Sequence, residues 1–163
     1  MEAVLIRPAK VEDLPAIQLL YGDLYKLLQG MGLPFALDEA GLQGLLPVLL
    51  KSKMCCLAVA ETPEGEICGF LSAAISRMDR KLQFCGENVI GKISDICVAE
   101  AYRGQNVAGR LLQFAENWMK DCGVTVCESE IVLQNARSLG FFQKNGYTPF
   151  CALTYKVLLG NGE

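Results

Sequence analysis

The chain has 163 residues, 52% hydrophobic and 20% charged, with 18 acidic and 15 basic side chains and a net charge of −3. That mixture excludes a disordered polyelectrolyte. With no run of Lys or Arg it also excludes nucleic acid as the principal partner, because neutralising phosphates needs clustered cations. The most apolar stretch, Leu42 to Leu50, is interrupted by Pro47 and followed by Lys51, well short of the roughly 20 residues that span a bilayer. Met1 to Lys10 lacks the basic start and apolar core of a secretory signal, so the sequence predicts a cytoplasmic protein with no membrane partner. The length fits one domain, residues 1–158, followed by a loose tail at 159–163.

Eight cysteines, at 55, 56, 68, 85, 97, 122, 127 and 151, form no C-x-x-C pair, and the chain has no histidine. The mixed Cys/His zinc sites are therefore excluded and no metal is expected. Most of these cysteines sit in apolar runs and read as small buried hydrophobes in a reducing compartment.

Val4 to Pro8 predicts a short opening strand stopped by proline. Leu14, Ile17, Leu20, Tyr21, Leu24, Leu27 and Leu28 recur at three- and four-residue steps, a helix with Glu12 and Asp13 at its favourable N-terminal end. After the break at Gly30 to Pro34, a shorter helix is expected from Asp38, its N-cap, to about Leu50. Cys55 to Glu61 and Ile67 to Ser76 predict two strands joined by a Thr62–Glu66 hairpin loop. Asp79 to Gly91 reads as a polar connection, and Ile93 to Val98 as the third strand of the meander.

The next stretch, Arg103 to Arg110, opens a helix whose stripe of Val107, Leu111, Ala115, Trp118 and Cys122 is closed by Gly123. A glycine-containing turn between a strand and a helix leaves free backbone N–H groups at the positive end of the helix dipole. That is an anion site, with phosphate its usual occupant. Val124 to Val132 is expected as a strand parallel to the one before the helix, making a right-handed crossover. Asn135 to Lys144 reads as a last helix and Tyr147 to Leu158 as a closing strand. No Gly-Lys-Ser/Thr loop and no G-x-G-x-x-G fingerprint is present, which excludes the common nucleotide-binding motifs.

Tyr102-Arg103-Gly104-Gln105-Asn106-Val107-Ala108 resembles the acyl-CoA-binding signature of the GNAT acetyltransferase superfamily. Asn135-Ala136-Arg137-Ser138-Leu139-Gly140-Phe141-Phe142-Gln143-Lys144-Asn145-Gly146-Tyr147 is similar to that family's second signature. The order of elements also matches, so the resemblance covers nearly the whole chain. It implies an α/β (α+β) fold: a GNAT-like mixed, mostly antiparallel sheet of six or seven strands, splayed at a central strand pair and flanked by about four helices. It implies acetyl-CoA as cosubstrate and a small-molecule or peptide amine as acceptor, and it leaves a homodimer open.

The resemblance further implies that the backbone at Ile96, Cys97 and Val98 pairs with the pantetheine arm. Arg103, Gly104, Gln105, Asn106, Val107, Ala108, Gly109 and Arg110 would hold the pyrophosphate, with Asn135 and Phe142 beside the cofactor. Two positions depart from the pattern. Asn106 stands where glycine is usual, a residue that tolerates positive φ but whose side chain would crowd the pyrophosphate. Phe142 stands where many members carry a tyrosine general acid, and it has no proton to give. With no histidine, the base must be a carboxylate or ordered water; Asp95 is the first candidate and Glu130 the second. Tyr21, Tyr25, Met31 and Phe35 are expected as an apolar acceptor wall. The alternative is a domain that binds acyl-CoA without turning it over, as a sensor or interaction module.

Overall fold

The apolar residues of the central strands divide between two sheet faces, and the helices cover both. The computed structural model describes residues 4–77 and 89–156. Five strands, β1 (Leu5–Pro8), β2 (Cys55–Glu61), β3 (Ile67–Arg77), β4 (Val89–Val98) and β5 (Cys127–Ser129), form one sheet in that order. The first four are antiparallel, while β5 runs parallel to β4. The helices are α1 (Leu14–Gly30), α2 (Glu39–Lys51), α3 (Val107–Asp121) and α4 (Ala136–Lys144).

On one face Leu57, Val59, Phe70 and Cys97 meet Ile17, Leu20 and Tyr21 of α1 and Leu42 and Leu46 of α2. On the other, Ala58, Leu71, Ala73 and Ile93 meet Leu111, Leu112, Ala115 and Met119 of α3. Arg7 fixes the entry to α1: its guanidinium reaches Asp13, just before the helix, and Glu61 at the end of β2. Asp38 caps α2, its side chain accepting from the Gly41 N–H at 2.9 Å, as its sequence position predicts. Gly123, at φ 78°, ends α3.

Three expectations change. Strand β4 begins at Val89, so the end of the expected connection, Val89 to Gly91, is strand; the rest of that connection lies outside the described residues. Gly91 reads as a breaker in sequence, yet it lies within the strand, where an added Cβ would meet the Met119 side chain of α3. The expected strand Val124–Val132 pairs only over Cys127–Ser129, because β5 leaves β4 beyond the pair Ile93 and Ser129. The expected closing strand is absent from Tyr147 to Lys156. Pro149 lacks a ladder donor there, and Phe150, Leu153 and Tyr155 stand exposed. The sheet therefore has five strands among the described residues rather than six or seven, and the splayed pair β4–β5 lies at its edge.

Candidate active site

The end of the β4–β5 ladder opens a cleft. It holds a cavity of about 90 Å³ bounded by Ile93 to Ile96 of β4, Ser129 at the end of β5 and Glu130 to Val132 beyond it, Leu24 and Leu28 of α1, and the start of α4. Beyond Ile93 the outer edge of β4 has no strand partner among the described residues, while its inner edge stays paired with β3 as far as Val98. An open strand edge presents backbone donors and acceptors in a row, ready for an extended ligand. The Val98 carbonyl is already occupied, accepting from Arg103 Nε at 3.0 Å.

The same strand carries a β-bulge. Ser72 pairs with Asp95 and Ala73 with Ile93, so Ser94 is the extra residue. Gly91 and Ile93 face α3, and strict alternation would send Asp95 the same way. The added residue turns Asp95 to the α1 face instead. There the Tyr21 hydroxyl donates to Asp95 Oδ2 at 3.0 Å and lies 3.0 Å from Ser72 Oγ, and Ser72 donates to the same carboxylate oxygen at 3.4 Å. Burial raises the Asp95 pKa above the ordinary carboxylate value, opposed by the hydrogen bonds from Tyr21 and Ser72 and by the charge of Lys92. Burial, with the nearby Asp95 charge, pushes Tyr21 far up, so it remains a proton donor at neutral pH.

Glu130 also borders the cavity, but its side chain is 66% exposed and ion-paired with Lys92. Of the two carboxylates, Asp95 is the one held in a fixed position. Sequence reasoning placed Tyr21 only in an apolar wall and did not single out Ser72. The available signal was a lone hydroxyl residue inside the otherwise apolar run Phe70 to Ile75.

At the other end of β4 the turn into α3 has two residues at positive φ, Gly104 at 80° and Asn106 at 60°. Asn106 is the only non-glycine residue there among the described residues, which is the conformation asparagine was expected to accept. Its side chain folds back over the first turn of α3, where Oδ1 occupies the space a Cβ at Gly109 would need. Within the described residues the amides from Gly104 to Gly109 donate to no other protein group. Gly104, Gln105 and Asn106 are exposed, and Ala108, Gly109 and Arg110 half-buried. The arrangement is a concentration of unpaired N–H groups at a helix N-terminus.

Asn135 caps α4, its Oδ1 accepting from the Ser138 N–H at 3.0 Å, and it also borders the cavity. Phe142 is 3% exposed, packed edge-on against Phe141 and Tyr147 with centroids 5.2 and 5.0 Å away. The Tyr147 hydroxyl does not replace the missing acid, because it donates away from the cavity, to Glu116 and Cys127. The Cys97 thiol is buried, which pushes its pKa up to about 11 and makes it a poor nucleophile at neutral pH. Among the described residues no three Cys, Asp or Glu side chains come together as a metal site, and the seven cysteines are free thiols. Nor is any described helix long and apolar enough to cross a membrane.

Solved proteins share this architecture. The aminoglycoside 6'-N-acetyltransferase AAC(6')-IG of Acinetobacter haemolyticus superposes with a TM-score of 0.76 at 21% identity, over 96% of this chain and 99% of that one. AAC(6')-Iy, in complex with the bisubstrate analogue CoA-S-monomethyl-acetylneamine, gives 0.78 at 20% identity, over 97% and 100%. A transcriptional regulator of Bacillus halodurans C-125 gives 0.74 at 20%, over 94% and 99%. Identities this low establish the fold and leave the activity to the site, as the spread of names among them illustrates. No curated protein matches the chain in sequence. Residues 24–147, which include the open edge of β4, the amide-lined turn and α4, match the model of the acetyltransferase (GNAT) family, and the chain belongs to that family.

Proposed function

We propose that the protein is an acetyl-CoA-dependent N-acetyltransferase that acetylates a primary amine of a small molecule or peptide by direct attack in a ternary complex. One observation carries the reading: the unpaired edge of β4 runs from a fixed carboxylate, Asp95, to a turn of free amides at Gly104–Gly109. Those amides, with Arg103 and Arg110 beside them, suit a pyrophosphate. The edge at Ile96 and Cys97 suits the amide groups of a pantetheine arm, the second requirement of coenzyme A. Asn135 and Phe142 border the cavity at the thioester end.

Asp95 takes a proton from the acceptor ammonium, directly or through water, so that the amine nitrogen can attack the thioester carbonyl carbon. The C–N bond forms, the C–S bond breaks, the sulfur leaves with the electron pair as thiolate, and the second proton of the nitrogen passes to water. Backbone N–H groups on the splayed part of β4 are placed to stabilise the intervening oxyanion. Phe142 gives no proton, so water protonates the thiolate. A thiol of pKa near 8.5 leaves at pH 7 with a deficit of roughly 2 kcal/mol, which water can offset in part.

The cavity lining includes two carboxylates, Asp95 and Glu130, and no cationic side chain, which favours an amine acceptor and disfavours an anionic one. The AAC(6')-Iy complex, with an aminoglycoside-derived analogue, supports the same acceptor chemistry. The test is release of free CoA thiol from acetyl-CoA with a panel of linear diamines, an aminoglycoside and short peptides with free N-termini. Turnover with one class of amine is the expected result. Acetyl-CoA that stabilises the protein while no amine releases thiol would mark a binding module, which the buried ring of Phe142 would then explain.

A further inference from the structure

We infer that Tyr21 is a positioning residue for acetyl transfer: its hydroxyl, backed by Ser72, holds Asp95 by one carboxylate oxygen and leaves the other to the cleft. The inference rests on Asp95 as the base. Both hydrogen bonds fall on Oδ2, whereas Oδ1 has no partner among the described residues and the residue borders the cavity. A carboxylate gripped at one oxygen has a fixed direction for its second, which is what a base needs and a structural ion pair does not.

Core packing does not account for this trio. The surrounding layer is Ile17, Leu57, Val59, Phe70 and Cys97, and the Tyr21 ring is already seated on Phe70 with centroids 4.4 Å apart. A phenylalanine there, with alanine at 72 and an apolar residue at 95, would fill the layer without burying polar groups. The grip also joins Asp95 to the acceptor side. Tyr21, Leu24, Tyr25 and Leu28 lie on one stripe of α1, and Leu24 and Leu28 border the cavity. An acceptor seated against α1 therefore presses on the helix that aims the base. The other titratable groups near Asp95 are Tyr25 of α1, Lys92 and Cys97 of β4, and Glu130 across the cleft.

Tyr21→Phe keeps the ring and removes the grip. The test follows the Asp95 carboxyl resonance by ¹³C NMR titration and, in parallel, the pH profile of thiol release with the best amine of the panel. With one donor lost, Asp95 should protonate at higher pH in Tyr21→Phe, and the acid limb of kcat should move up with it. Turnover should fall roughly ten- to hundredfold, with KM for acetyl-CoA within about twofold of wild type. Ser72→Ala, a smaller change and a safeguard should Tyr21→Phe fold poorly, should shift both readouts in the same direction by less. If Asp95→Asn removes the acid limb while Tyr21→Phe and Ser72→Ala move neither limb nor resonance, Asp95 is the base but Tyr21 does not position it. If the limb survives in Asp95→Asn, the base reading fails and takes the positioning role with it.

Discussion

The proposed role of Asp95 as base and the cost of burying its charge make opposite predictions for one substitution. Burial holds its pKa in the folded chain above the unfolded value. As pH rises the unfolded chain therefore ionises first, and stability falls through the window between the two values and stays lower above it. Asp95→Asn should melt higher than wild type at pH 7, with the gap closing below about pH 4, while thiol release drops roughly 100-fold or more. The acetyl-CoA-induced rise in melting temperature should be unchanged. Equal melting temperatures at pH 7 together with near-wild-type turnover would return Asp95 to a structural role. Phe142 poses the complementary question. Phe142→Tyr should raise thiol release by at most about thirtyfold, the equivalent of the roughly 2 kcal/mol leaving-group deficit. If Phe141 and Tyr147 enclose the ring edge, the variant should instead lose about 1–3 kcal/mol of stability with no gain in rate. Rate and melting temperature on one preparation separate these outcomes.

The elements show where local pattern suffices and where it does not. Helices α1 to α4 were legible because their stripes, caps and stop signals are local: Asp38 and Gly123 sit where the sequence puts them, and α4 covers its expected stretch except Asn135, which caps it. The turn before α3 was legible in its conformation for the same reason, down to the positive φ of Asn106. Asp95 emerged by elimination, because the chain has no histidine. Its partners did not, since Tyr21 and Asp95 are 74 residues apart and only the sheet brings them together. Strand ends were least legible, because Gly91 looks like a loop until Met119 lies across it. The turn gives a direct test. At φ 60° an asparagine costs little, a glycine nothing, and a β-branched residue substantially more. Asn106→Gly should keep the acetyl-CoA thermal shift. Asn106→Val should abolish it while the apo protein remains folded. An unchanged shift in Asn106→Val would move the pyrophosphate site elsewhere.

At the scale of the whole molecule, binding and folding are linked. Acetyl-CoA at 100 times its Kd should add about 2.7 kcal/mol, and a chain of this length gains roughly 2–4 °C per kcal/mol. The bulge on β4 has a consequence of a different kind, because it separates the face a side chain takes from its number in the chain. With Ser94 as the extra residue, Gly91 and Ile93 face α3 while Asp95 faces α1; with Ser94 deleted, Ile93 and Asp95 become neighbours and ordinary alternation keeps each on the face it has. What deletion removes is the bend, at the point where β5 leaves β4. Deletion of Ser94 should therefore leave Asp95 beside Tyr21 and Ile93 packed under α3, so that the chain still folds, while a straightened β4 edge weakens the acetyl-CoA thermal shift. Ser94→Ala, at an exposed position, should stay within about 0.5 kcal/mol of wild type in stability. A deletion variant that fails to fold would show that the bulge itself, and not alternation, keeps the two side chains on their faces.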